Sequence, residues 1–143
     1  MQQDFPEAVP ETPMPRIEHV ALWVQDLEGF CAFYERHFHA VVGQLYENQA
    51  KGFASRFFSF PSGARIEAMT TTRLAPIRHA PGAERMGLTH LAFSLGSEAV
   101  VDDLTSRLRE SGIAVVDGPR RTGDGYYESV VLDPEGNRIE LTV

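Results

Sequence analysis

The sequence predicts an α+β fold built from two tandem βαβββ modules, arranged as a curved, barrel-like mixed sheet around a cavity. Three observations lead there. Arg-Ile-Glu occurs twice, in ARIEAM and in NRIELTV, each time behind a turn, SFPSG and LDPEG. The stretch EHVALWVQDLEGF lies over THLAFSLGSEAVV when His19 is set on His90, an offset of 71 (90 − 19). Glu67 and Glu140 pair at an offset of 73 (140 − 67), so the two copies differ in internal length by only two residues. Self-similarity at a near-constant offset is the signature of a duplicated unit. The first module is read as 16–74 and the second as 86–143. The connector 75–85, APIRHAPGAER, is marked by two prolines and a glycine.

Each element follows from its pattern. Residues 16–24 alternate, with Val20, Leu22 and Val24 on one side and His19, Ala21 and Trp23 on the other. Asp26 is placed to cap a helix whose apolar stripe is Leu27, Phe30, Cys31, Tyr34 and Phe38. Strands are expected near 40–46, 53–60 and 64–72, with Pro61 to Gly63 turning between the last two. The second module repeats this order. A strand at 88–95 puts Leu91, Phe93 and Leu95 opposite His90, Ala92 and Ser94. Ser97 caps a helix with Val100, Val101, Leu104 and Leu108, and Gly112 stops it. Strands near 113–117, 126–132 and 137–143 complete the unit, with a turn at Pro134 to Gly136.

Composition narrows the function. A hydrophobic fraction of 43% is ordinary for a globular chain, and no apolar run is long enough to span a membrane. The N-terminal segment 1–15 holds four of the nine prolines and lacks a basic, then apolar, leader pattern, so it is expected to be a disordered or loosely attached tail. A net charge of −7 without a Lys/Arg cluster argues against nucleic acid as a partner. The single cysteine, Cys31, precludes an internal disulfide and suits the reducing cytoplasm, where the chain is expected to reside; within the helical stripe it reads as a small buried hydrophobe.

The chemistry follows from the faces. If each helix covers the apolar side of its sheet, the histidines are left on the other side, beside the small residues Ala21, Ala92 and Ser94. In both last strands Glu alternates with apolar neighbours, so Glu67 and Glu140 fall on the histidine side. His19, Glu67, His90 and Glu140 are therefore the candidate metal ligands. Two neutral imidazoles and two carboxylates suit a divalent first-row ion, their −2 balancing its +2, and an open coordination position points to catalysis.

Together, IEHVALWV, ARIEAM, LTHLAFSL and DPEGNRIELTV, in that order and over residues 16–143, resemble the vicinal oxygen chelate superfamily, the glyoxalase/bleomycin-resistance/dioxygenase fold. The resemblance implies that His19, Glu67, His90 and Glu140 hold the metal. A His/Glu/His/Glu set is most similar to bacterial glyoxalase I, lactoylglutathione lyase, which implies Ni²⁺, Co²⁺ or Zn²⁺. The expected reaction is proton transfer next to a carbonyl through a metal-bound enediolate, on the hemithioacetal of a 2-oxoaldehyde and a thiol, with Glu140 as the base and Glu67 its pseudo-symmetric rival. Two alternatives stand beside it: a dioxygenase using Fe²⁺ or Mn²⁺, and a protein binding a small aromatic compound with Trp23 as a stacking wall. A small-molecule substrate and a homodimer are the expected partners. Arg16, Arg56, Arg120 and Arg121 are possible anion contacts, and Tyr126 or Tyr127 possible pocket walls; His37, His39 and His79 have no counterpart in the repeat and are left out of the site.

Overall fold

The computed structural model describes residues 14–76, 80 and 83–143, so nearly all of the expected tail, part of the connector and His79 lie outside the described residues. The chain runs β1 (His19–Trp23), α1 (Leu27–Phe38), β2 (Val41–Val42), β3 (Tyr46–Asn48), a 3₁₀ turn (Gln49–Lys51), β4 (Phe53–Ser59) and β5 (Arg65–Thr71). The second half runs β6 (His90–Ser94), α2 (Glu98–Glu110), β7 (Val115–Arg121), β8 (Tyr127–Leu132) and β9 (Arg138–Thr142). The first sheet is ordered β1-β5-β4-β2, with β3 also on β4, and the second is ordered β6-β9-β8-β7. Both are mixed, because β1 pairs parallel to β5 and β6 parallel to β9 while the other pairs are antiparallel. Among the described residues no strand of one sheet pairs with a strand of the other, so the sheets do not close into a barrel.

The helix caps are those the sequence announces. Asp26 accepts from Gly29 N at 2.9 Å and Ser97 from Val100 N at 3.3 Å. After α2, Ile113 N donates to Leu108 O and Gly112 N to Arg109 O, both at 3.0 Å, with Gly112 at φ +83°. This is the left-handed helix stop for which glycine is suited. The same stop after α1 is made by His39, at φ 56°, with Ala40 N donating to Tyr34 O. A side chain in that region costs about 1–2 kcal/mol. His39→Gly is therefore expected to stabilise the fold by about 1 kcal/mol, raising Tm by about 3 °C in a thermal melt.

Each helix covers one face of its sheet. Phe30, Cys31 and Tyr34 pack with Phe58, Ile66 and Ala68 in the first half, and Val101, Leu104 and Leu108 with Val131, Ile139 and Leu141 in the second, all within one continuous core. Val100, expected in the α2 stripe, is 43% exposed. Its place is taken by Thr105, whose Oγ1 bonds Val101 O and Ser129 Oγ, because the buried spacing is 101, 104, 105, 108. Cys31 is 3% exposed, and burial pushes its thiol up to about 11, which leaves it an inert hydrophobe.

The halves meet through α1. Phe93 of β6 lies 4.7 Å from the Phe38 ring and 5.1 Å from Phe60, centroid to centroid. The β8–β9 turn grips the same helix: Tyr34 donates to Asp133 Oδ2 at 2.8 Å, and Glu135 Oε1 accepts from Gln25 N and Asp26 N, at 2.6 and 2.9 Å. A carboxylate from the second half thus caps a helix of the first.

Two local departures from expectation have physical causes. The strand expected near 40–46 is split into β2 and β3: Gly43 N still donates to Phe57 O in the β2 register, and the pairing with β4 has shifted by one residue where Tyr46 stands opposite Ser55. The strand expected at 113–117 runs instead over 115–121, with register shifts between Val115 and Arg120. Within that bulge Gly118, at φ +72°, comes so close to β8 that a Cβ there would lie 2.5 Å from Glu128 O.

Candidate functional site

The face of each sheet away from its helix carries the histidine and the glutamate, at matching positions. His19 stands opposite Arg65 and Ala21 opposite Glu67; His90 stands opposite Arg138 and Ala92 opposite Glu140. With the small Ala21 and Ala92 directly opposite the glutamates, the imidazole one diagonal away can approach the carboxylate. His19 Nε2 is 3.7 Å from Glu67 Oε2, and His90 Nε2 is 3.1 Å from Glu140 Oε2. The imidazoles are 41% and 38% exposed and the carboxylates 17% and 15%, so each pair sits on an open sheet face with its acid sunk between strands. Sequence reasoning placed all four on the faces away from the helices. Within one chain they form two pairs: among the described residues no three His, Cys, Asp or Glu side chains converge as a metal-holding group.

The pairs have different neighbours. Glu18 accepts from His19 Nδ1 and also from Arg65 Nε, the latter at 2.8 Å, and those two bonds hold its carboxyl below the usual range. With Nδ1 engaged, Nε2 is the nitrogen turned to Glu67; this is how metal-ligating histidines are commonly oriented. On the second sheet residue 89 (18 + 71) is Thr, and among the described residues Arg138 has no carboxylate within ion-pair distance. There Glu128 of β8 lies diagonally across from Glu140, and hydrogen bonding to the Glu140 carboxyl, with burial and like charge, pushes Glu128 up to about 7. Glu128 leaves no trace in the repeat, because its counterpart (128 − 73) is Ser55 and comparison of the repeats finds only what both halves share.

Several candidate wall residues turn out to face elsewhere. Arg56 bonds Glu28 of α1 and Gly43 O; Arg121 pairs with Glu98 of α2; Tyr127 donates to Asp102 of α2. These three lie on helix-covered sides. Arg120 is held by Asp117 at 2.8 Å, Tyr126 is half exposed, and Arg16 precedes β1 on the surface. Beside His90 and Arg138 a cavity of about 730 Å³ opens between the halves, walled by Leu22, Leu88, Leu91 and the Gly136 turn.

Over residues 16–141 the chain matches the sequence model of the glyoxalase/bleomycin resistance protein/dioxygenase superfamily. The chain belongs to this superfamily. It is 29% identical over 131 residues to the uncharacterized protein YqjT of Bacillus subtilis, covering 87% of this chain and 96% of that one. It is equally 29% identical over 134 residues to the virulence protein STM3117 of Salmonella typhimurium, covering 89% and 83%. Among solved structures, a domain of the same superfamily from Frankia superposes with a TM-score of 0.76 at 21% identity, covering 92% and 98%. The trypanothione-dependent glyoxalase I of Leishmania major superposes at 0.71 with 19% identity, covering 90% and 86%. At such identities these structures establish the fold.

The superfamily fold raises the question of a metal, and the donors on each sheet suit one. Two donors that both sit about 2.1 Å from one ion are at most about 4.2 Å apart, and the separations of 3.7 and 3.1 Å meet that limit. Nitrogen and oxygen donors without thiolate favour borderline divalent ions over Cu⁺ or iron–sulfur clusters.

Proposed function

We propose that the protein is a metal-dependent, glyoxalase-I-like lyase or isomerase, and that its site is completed by a second copy of the chain. The observation that carries this reading is the repeated register of His19–Glu67 and His90–Glu140 on open sheet faces. Each sheet offers half of a four-donor set. An isologous dimer that sets the first sheet of one subunit against the second sheet of its partner makes two identical sets at once.

In this reading His19, Glu67, His90 and Glu140 hold a Ni²⁺, Co²⁺ or Zn²⁺ ion. The bound ion supplies Lewis-acid stabilisation of negative charge on two neighbouring substrate oxygens. The chain does the rest. Glu18 fixes the His19 ring through Nδ1. Glu140 takes the proton from the carbon next to the carbonyl and returns it to the adjacent carbon, with Glu67 the equivalent candidate from the other half. Ala21 and Ala92, directly opposite Glu67 and Glu140, leave room for the substrate.

Elemental analysis of the purified protein, paired with a sizing measurement, tests the reading. One divalent ion per chain in a dimer is expected, together with loss of a hemithioacetal under nitrogen. Consumption that requires O₂ would assign a dioxygenase instead, and a metal-free dimer with no turnover would sink the enzyme reading altogether.

A further inference from the structure

The two open faces match near the histidines and diverge at their far ends. Two positions beyond each glutamate, the first half has Met69 paired with Trp23, where the second has Thr142 paired with Ser94. On the neighbouring strand the first half has Ser55 and Phe53, where the second has Glu128 and, just before β8, the half-exposed Tyr126. Trp23 meets Phe53 edge to face at 6.2 Å, and Tyr46 meets the same ring at 6.1 Å. Trp23 and Tyr46 remain 53% and 58% exposed. Two strand positions span about 7 Å, so this aromatic strip begins one ring's length from Glu67. The opposite wall is polar, and Thr142 Oγ1 is buried there without a hydrogen-bond partner.

Charge complementarity limits what lies against the strip. Arg65, the cation on that face, is bonded to Glu18 and stacked 4.3 Å over Phe57. Arg120 is held by Asp117. Of the arginines on the open faces, Arg138 alone has no carboxylate within ion-pair distance among the described residues. Arg85 lines the same cavity as Arg138, so the cations open to an anionic ligand group lie there, away from the aromatic strip.

We infer that the substrate carries a flat apolar substituent that packs on Trp23, Phe53 and Tyr46. This rests on the metal-centre reading for the position of the reacting oxygens, and it assigns the far end of the first sheet's open face to a ring. Aromatic rings in such a strip gain both buried area and edge-to-face contact.

The test uses two probes that present the same pair of neighbouring oxygens, benzohydroxamate with a ring and acetohydroxamate with a methyl group, titrated calorimetrically into the metal-loaded full-length protein. Benzohydroxamate is expected to bind at least tenfold more tightly and to quench fluorescence of Trp23, the chain's single tryptophan. Trp23→Leu is expected to remove most of that difference while the acetohydroxamate affinity and the size of the particle stay the same. The inference is overturned by equal affinities, by no binding of benzohydroxamate, by a ring preference that survives Trp23→Leu, or by a changed oligomeric state, which would make the strip a subunit contact. Acetohydroxamate reports on the metal centre alone, so its failure to bind marks a failure of the metal reading and leaves the ring preference to be read from benzohydroxamate.

Discussion

Glu140→Gln is expected to lower kcat for a hemithioacetal by about 10²–10⁴-fold. The substitution keeps the side chain's size and an oxygen able to face an ion, while removing the basic oxygen that would accept the proton. Glu140 is 85% buried between β6 and β8, flanked by Ile139 and Leu141 in the core, so an isosteric amide leaves the strand packing unchanged. Metal content and circular dichroism check that the loss is chemical. Glu67→Gln is the companion measurement. The faces are alike at His, Ala and Glu but unlike beyond, with Glu128 near Glu140 and Ser55 in the matching place near Glu67. The variant with the larger fall in kcat at unchanged metal content names the base. A Glu140→Gln protein that keeps its metal and full activity shows that Glu140 does not move the proton.

The largest stability effect is expected at Asp133→Ala, away from the site. Asp133 is 5% exposed and collects donors from both halves: Tyr34 OH at 2.8 Å, Glu135 N at 2.9 Å, and Asn137 through N at 3.0 Å and Nδ2 at 2.9 Å. Truncation strands the buried phenol and loosens the turn that grips α1. Leaving such groups unsatisfied costs about 3 kcal/mol, or about 10 °C in Tm. Tyr34→Phe removes a single bond from an acid that keeps its other donors, and about 1 kcal/mol is expected. The pH dependence has a definite sign. Burial raises the Asp133 pKa despite its donors, so the folded state holds this proton more tightly than the unfolded chain. That contribution is complete below the unfolded pKa and is lost as pH rises through the folded one. Asp133→Asn is expected to fold less stably than wild type in acid, with the gap narrowing as pH rises through that range. Denaturant titrations at several pH values would reveal it.

The faces of the strands were legible because a strand's period is two and leaves no freedom once one side is buried. Val20 and Leu22 commit β1, and Ile139 and Leu141 commit β9; the histidines and glutamates follow. Both helix starts and the α2 stop were legible from Asp26, Ser97 and Gly112, whose chemistry is local. What was missed lies across strands or between halves. Glu128 meets Glu140 only through the β8–β9 ladder, and Glu135 caps α1 from more than a hundred residues away. Arg56 and Tyr127 could be assigned to a face only after the register of β4 and the bulge in β7 were known.

By itself, then, the amino-acid order determined a duplicated α+β unit and put one imidazole and one carboxylate on the uncovered face of each copy, because periodicity and burial act over a few neighbouring residues. Tertiary structure decided that those groups stand as two pairs on separate sheets, that one wall is aromatic and the other acidic, and that a turn of the second half clamps the helix of the first. Those outcomes depend on distances between segments far apart in the chain, which are set by packing around the shared core of Tyr34, Phe58 and Phe93.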